Sequence, residues 1–177
     1  MPGAAKLFVF EGRRVSAAPG FWCGSLSLFI MMCVKELFRL GRDFPFFRPE
    51  KCLREGCKST TIWGHGFVLL YIEGYAEPLP FQRWRCPVCK CVYTIRPCGY
   101  WPRHSAPVWT IAEALRYRLT HGFWNKTLGP SRQKQGHWLR ALKTNIKAHL
   151  GMDFSQGFME GFSELISRGL VPVYRFG

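Results

Sequence analysis

Two pairs of cysteines carry the most specific chemistry in this sequence: Cys52 and Cys57 in CLREGC, and Cys86 and Cys89 in CPVC. Thiolates are soft ligands, and two short loops presenting two sulfurs each can converge on one ion, because each loop fixes half of a tetrahedral shell. Zinc is the ion such a set suits. CPVC is the tight form of the loop, and CLREGC, with four intervening residues, is looser but within the permitted range. The 28 residues between the pairs exceed the usual ribbon spacing and require a long hairpin. Disulfides in a secreted chain are the competing use of eight cysteines, and pairing this close favours metal. Four protein thiolates leave the ion no position for water, so the zinc is expected to be structural.

The other sulfur and imidazole groups fit this site less well. Cys91 follows the second loop directly on an outgoing strand, and a site built from Cys86, Cys89, Cys91 and Cys98 would leave Cys52 and Cys57 unexplained. Cys98, Cys23 and Cys33 read as small buried hydrophobes. His65 lies between two glycines in a strand and His104 in a polar loop, and neither is expected to be a ligand.

Charge points to a partner. Residues 78–150 hold thirteen basic residues and the single acid Glu113, so this stretch carries +12 of the formal +14. Soluble surfaces usually interleave both signs. A one-sided surplus implies an anionic partner, with nucleic acid the natural one. Residues 15–34 lack charge, but Pro19, Gly20, Gly24 and three serines dilute the run, and its dense apolar part, 26–34, is shorter than a membrane span. A membrane partner is therefore not expected. Met31 and Met32 also raise a natural start there, with the first thirty residues an extension.

Around the cysteines, TTIWGHGFVLLY and LPFQRWRC have strand composition with a turn at EGYAEP between them, and CVYTIRP supplies a third strand ending at Pro97. Residues 28–40 are expected to form a short amphipathic helix stopped by Gly41. After Pro102 the period changes. Val108, Ile111, Ala112, Leu115 and Leu119 recur at helical spacing up to Gly122, and Leu139, Leu142, Ile146 and Leu150 do so up to Gly151. Opposite that second stripe, Gln133, His137, Arg140, Lys143 and Lys147 share roughly a third of the helix circumference. Phe154, Phe158, Phe162 and Ile166 suggest a short final helix.

RWRCPVC, VYTIRP, WPRHSAPVWTIAEAL and GPSRQKQGHWLRALK together resemble a zinc-ribbon family of bacterial insertion-sequence and transposase-associated proteins, over roughly residues 44–150. The resemblance implies a ribbon followed by a helix-turn-helix, with Cys52, Cys57, Cys86 and Cys89 as ligands and Arg132, Gln133, Gln135 and Arg140 facing DNA. Lys90 stands where that family's loop carries glycine.

The expected fold class is α+β, a small zinc ribbon (a β-hairpin with a third strand) followed by a helix-turn-helix-like segment. Its parts are an N-terminal segment (1–43), the ribbon (44–101), the DNA-binding segment (102–151) and a C-terminal helix and tail (152–177). The expected function is duplex DNA binding in the cytoplasm, at the nucleoid, as an accessory or regulator of a bacterial mobile element. A transposase or another mobile-element protein is an expected partner, and RNA stays open because charge and aromatics also suit single strands. An enzyme is not expected, since strand transfer needs clustered carboxylates and the acids after the ribbon, Glu113, Asp153, Glu160 and Glu164, show no such cluster. The alternative is an assembly factor docking a protein through Trp63, Phe67, Tyr71 and Trp84.

Overall fold

The computed structural model describes residues 8–10 and 25–174 of the chain, so Cys23 and most of the N-terminal head lie outside the described residues. The fold is α+β and divides into two compact units, Met1–Pro102 and Arg103–Gly177.

The first unit contains β1 (Phe8–Phe10), β2 (Ser25–Ile30), α1 (Val34–Leu40) with a 3₁₀ turn behind it (Gly41–Asp43), β3 (Trp63–Leu70), β4 (Leu79–Arg85) and β5 (Val92–Pro97). The expected hairpin and third strand are present: β3 pairs antiparallel with β4, and β4 with β5. The hairpin's register shifts between Gly64 and Phe67, where Gly66 adopts φ +68 and Gln82 donates its amide to Gly66 O at 3.1 Å. A left-handed residue inside a strand is a place for glycine, which explains GHG within an otherwise β-branched run.

The sheet does not stop at three strands. Its order is β1-β2-β5-β4-β3, with β2 parallel to β5 and β1 antiparallel to β2. The helix expected over 28–40 therefore begins only at Val34, because residues 25–30 are strand. Leu28, Phe29 and Ile30 are all buried, three consecutive positions that an amphipathic helix cannot hide together and an inner strand can. Without β2, the outer ladder groups of β5 would have no strand partner. Both β1 and β2 precede Met31, so a chain starting there would lack two strands of the sheet.

The second unit is helical: α2 (Val108–His121), α3 (Arg132–Leu150) and α4 (Phe158–Ser167). Ile111, Ala114 and Leu115 bury one face of α2, and Gly122 caps it in the left-handed region. Ser131 caps α3 by accepting the Lys134 N–H at 3.3 Å. The leucine stripe expected on α3 is rotated. Leu142 and Ile146 are buried but Leu139 and Leu150 only half so, and the core face consists of Gln135, Trp138, Ala141, Leu142, Asn145 and Ile146.

Two buried amides explain the rotation. Gln135 donates to Asn125 O and Pro130 O, at 2.9 and 2.8 Å, and Asn145 donates to Pro172 O and Tyr174 O, at 2.7 and 2.8 Å, so each ties a loop or tail to the helix. On α4 the buried residues are Gly161, Phe162 and Leu165, whereas Phe158 and Ile166 are exposed. Among the described residues no helix is long and apolar enough to cross a membrane.

Candidate metal centre and basic helix face

Cys52 and Cys57 sit at the ends of a loop held shut by backbone bonds from Cys52 N to Ser59 O (2.8 Å) and from Cys57 N to Arg54 O (3.1 Å). Cys86 follows β4, and its N–H donates to Cys91 O at 2.9 Å, closing the turn into β5. Cys91 thus serves the site through its carbonyl, while its own thiol lies outside the four-sulfur group and is buried. Lys90, inside this turn, has φ +60. The resembled family places glycine there because this conformation is strained for a residue with a Cβ.

The four sulfurs lie within 4.8 Å of one another, with Cys52 Sγ 3.5 Å from Cys89 Sγ and Cys57 Sγ 3.8 Å from Cys86 Sγ. These separations are far beyond a disulfide bond of about 2.05 Å, and no disulfide joins described cysteines. Four cysteines brought this close can hold a metal ion.

Tyr93 completes the surroundings. Its hydroxyl oxygen accepts the Leu53 N–H at 3.1 Å and lies 2.8 Å from Cys52 Sγ, so its own hydrogen is available to the sulfur. Burial, followed by this contact with Cys52, pushes the Tyr93 hydroxyl pKa up. Burial also raises Cys89, to about 12, with the three neighbouring sulfurs adding to the effect. At Cys86 burial pushes upward too, but backbone hydrogen bonding at Cys89 and Val88 outweighs it and holds the thiol at about 6. One thiol ionises readily and its neighbour does not, as expected where four sulfurs compete without a counter-charge.

The remaining thiols and imidazoles are elsewhere. Cys33 is exposed at the N-cap of α1, contrary to its expected burial, because the helix turns away from the sheet there. Cys98 is half-buried and donates its N–H to Ile30 O at 2.9 Å. His65 lies in the β3 bulge, and neither it nor His104 belongs to the thiol group.

On α3, Arg132, Gln133, Arg140, Lys143 and Lys147 are exposed and His137 is half-buried. Gln135 must be removed from the expected contact set. It is 1 % exposed and its amide is committed to two loop carbonyls, so it cannot face DNA. Arg132, Arg140, Lys143 and Lys147 form no ion pair among the described residues, and α3 contains no acid. At 100° per residue these four fall within roughly 80° of the helix circumference.

Of the four candidate docking aromatics, Trp63 and Tyr71 are 57 and 68 % exposed. The others are engaged. Phe67 packs edge-on to Phe46, and the Trp84 indole donates to Phe47 O with the Arg48 guanidinium over its ring.

No family model matches the chain, nor does any curated protein or solved structure. Sequence reasoning missed Tyr93. The signal was present, since Cys91, Tyr93 and Ile95 alternate on β5 and must share the face that Cys86 borders.

Proposed function

We propose that the four cysteines bind one structural zinc ion and that the protein binds duplex DNA through the basic face of α3, as an accessory or regulator of a bacterial mobile element. Zinc is supported by the sulfur spacing, because four thiolates about 2.3 Å from a central ion stand about 3.8 Å apart, and the two closest contacts are 3.5 and 3.8 Å. The observation carrying DNA binding is the exposed cluster of Arg132, Arg140, Lys143 and Lys147 on an acid-free helix. Such cations neutralise phosphates and release counterions. The mobile-element assignment rests on the resemblance over residues 44–150. A non-catalytic role is supported by the acids themselves: Glu113 pairs with Arg116 and Glu164 with Arg168 on helix surfaces.

The test is retention of a random-sequence duplex by the wild type and by the triple variant Arg140→Glu, Lys143→Glu, Lys147→Glu. Wild-type affinity is expected to fall with salt at a logarithmic slope of about −0.9 per phosphate neutralised, and the variant to lose retention. Unchanged retention by the variant, or a flat salt dependence, rejects DNA binding through this face. Exposed Trp63, Leu69 and Tyr71 on and beside the edge strand β3 favour a second reading, docking of a protein partner, for which unchanged retention by the triple variant is the expected outcome.

A further inference from the structure

The connection between α2 and α3 encloses a cavity of about 520 Å³, within the second unit. That volume falls in the range of small-ligand sites, about 300–1,000 Å³. Its lining includes three cations (Arg118, Lys126 and Arg132), two aromatic rings (Phe123 and Trp124) and Gln135, and contains no carboxylate. Arg118 lies over the Trp124 ring, 5.0 Å from its centroid. Ser131, the N-cap of the nineteen-residue α3, also lines the cavity, so the positive end of the helix dipole adds to the cations.

Gln135 is the informative residue. Its side-chain nitrogen is committed to Asn125 O and Pro130 O, which sets the orientation of the amide. The oxygen left over is buried and has no hydrogen-bond partner. A buried carbonyl without a donor is unfavourable, and its presence in a cavity wall points to a ligand that brings an N–H or O–H. The cations call for an anion on the same ligand, and the rings for a flat face.

We propose that this cavity takes a single unpaired nucleotide, with phosphate held by Arg118, Lys126 and Arg132, the base against Phe123 and Trp124, and a base N–H donated to Gln135 Oε1. The site rests on the nucleic-acid reading above and extends it from tracking a duplex to capturing a base outside the stack. The same nucleoside phosphate chemistry could arrive as a free mononucleotide, so the source has to be separated by the choice of probe.

The experiment compares full-length protein on a fully paired duplex, the same duplex with one unpaired adenosine, and the same duplex with an abasic unit at that position, alongside a titration with adenosine monophosphate. Stacking and pocket contacts are expected to make the unpaired adenosine bind roughly tenfold tighter than the paired duplex, with the abasic unit returning to the paired value. Replacing the unpaired adenine by purine, which lacks the amino donor, is expected to weaken binding roughly tenfold without any change to the protein. The double variant Phe123→Ala, Lys126→Ala, at two exposed positions, is expected to abolish the preference and leave paired-duplex affinity within about twofold. Equal affinity for all three duplexes overturns the pocket while duplex binding stands. Binding of adenosine monophosphate with no retention of paired duplex rejects the duplex reading and identifies the ligand as a free nucleotide. Binding of none rejects both.

Discussion

Tyr93 reaches from the middle of β5 to Cys52, its hydroxyl oxygen 2.8 Å from the sulfur. The contact links the two cysteine pairs through the sheet. Cys86 and Cys89 lie in the turn that leads into β5, and Tyr93 on β5 orients the first cysteine of the other pair. Tyr93→Phe keeps the ring, removes the donor to Cys52 and leaves the Leu53 N–H without its acceptor. Loss of about 1–2 kcal/mol of stability is expected, with metal affinity weakened about tenfold or more. Thermal melts with metal present, together with chelator competition, measure both.

Chelation should act on the first unit and spare the second. Cys52, Cys86 and Cys91 belong to the same buried cluster as Leu28, Ile62, Tyr93 and Ile95, so opening the site loosens that core. In full-length protein, a strong chelator is expected to increase amide hydrogen exchange in β4 and β5 while α2 and α3 keep their protection. Cys86→Ser should reproduce the effect without chelator.

Acid should mimic the chelator, and the sign follows from the thiols. Metal binding requires thiolates, and without metal Cys89 holds its proton up to about pH 12. Binding therefore releases protons, and affinity must fall as pH falls. Zinc release followed by a colorimetric indicator is expected to increase steadily as pH drops from neutral toward the Cys86 value of about 6 and below.

Lys90 holds a left-handed conformation, φ +60. Lys90→Gly is expected to stabilise the protein by about 1 kcal/mol, read as a rise in melting temperature with metal stoichiometry unchanged.

Two helical glycines should respond oppositely to alanine. At Gly136 a Cβ would meet Arg140 and Trp124 at 3.6 and 3.7 Å, ordinary contacts, so Gly136→Ala is expected to stabilise α3 by about 0.5–1 kcal/mol. At Gly161 it would come within 2.5 Å of Ile146 Cδ1 and 2.8 Å of Cγ1, so α4 would have to move off α3. Gly161→Ala is expected to destabilise by about 1–3 kcal/mol. Urea titration of each variant decides.

The thiol group, the three strands around it and the extents of α2 and α3 were legible in the sequence, because cysteine spacing, β-branched runs and helical periodicity are local signals. The rest depends on distant partners. SLSLFI becomes an inner strand only because β5 lies beside it, and nothing within those six residues names that neighbour. On α3, Gln135 and Asn145 look like surface residues by type but are buried, because each answers backbone carbonyls in a loop or tail that composition does not reveal.

The parallel pairing of β2 with β5 also orders events during synthesis. β2 leaves the ribosome before any of the four ligand cysteines, and its partner β5 emerges after the last of them. Pairings between segments far apart in sequence close slowly, whereas the β3–β4 hairpin and the two cysteine loops are nearly contiguous. An ion can therefore cross-link the nascent hairpin while β2 still waits for β5, and metal supply during translation becomes a control point for how long that apolar strand stays open to aggregation.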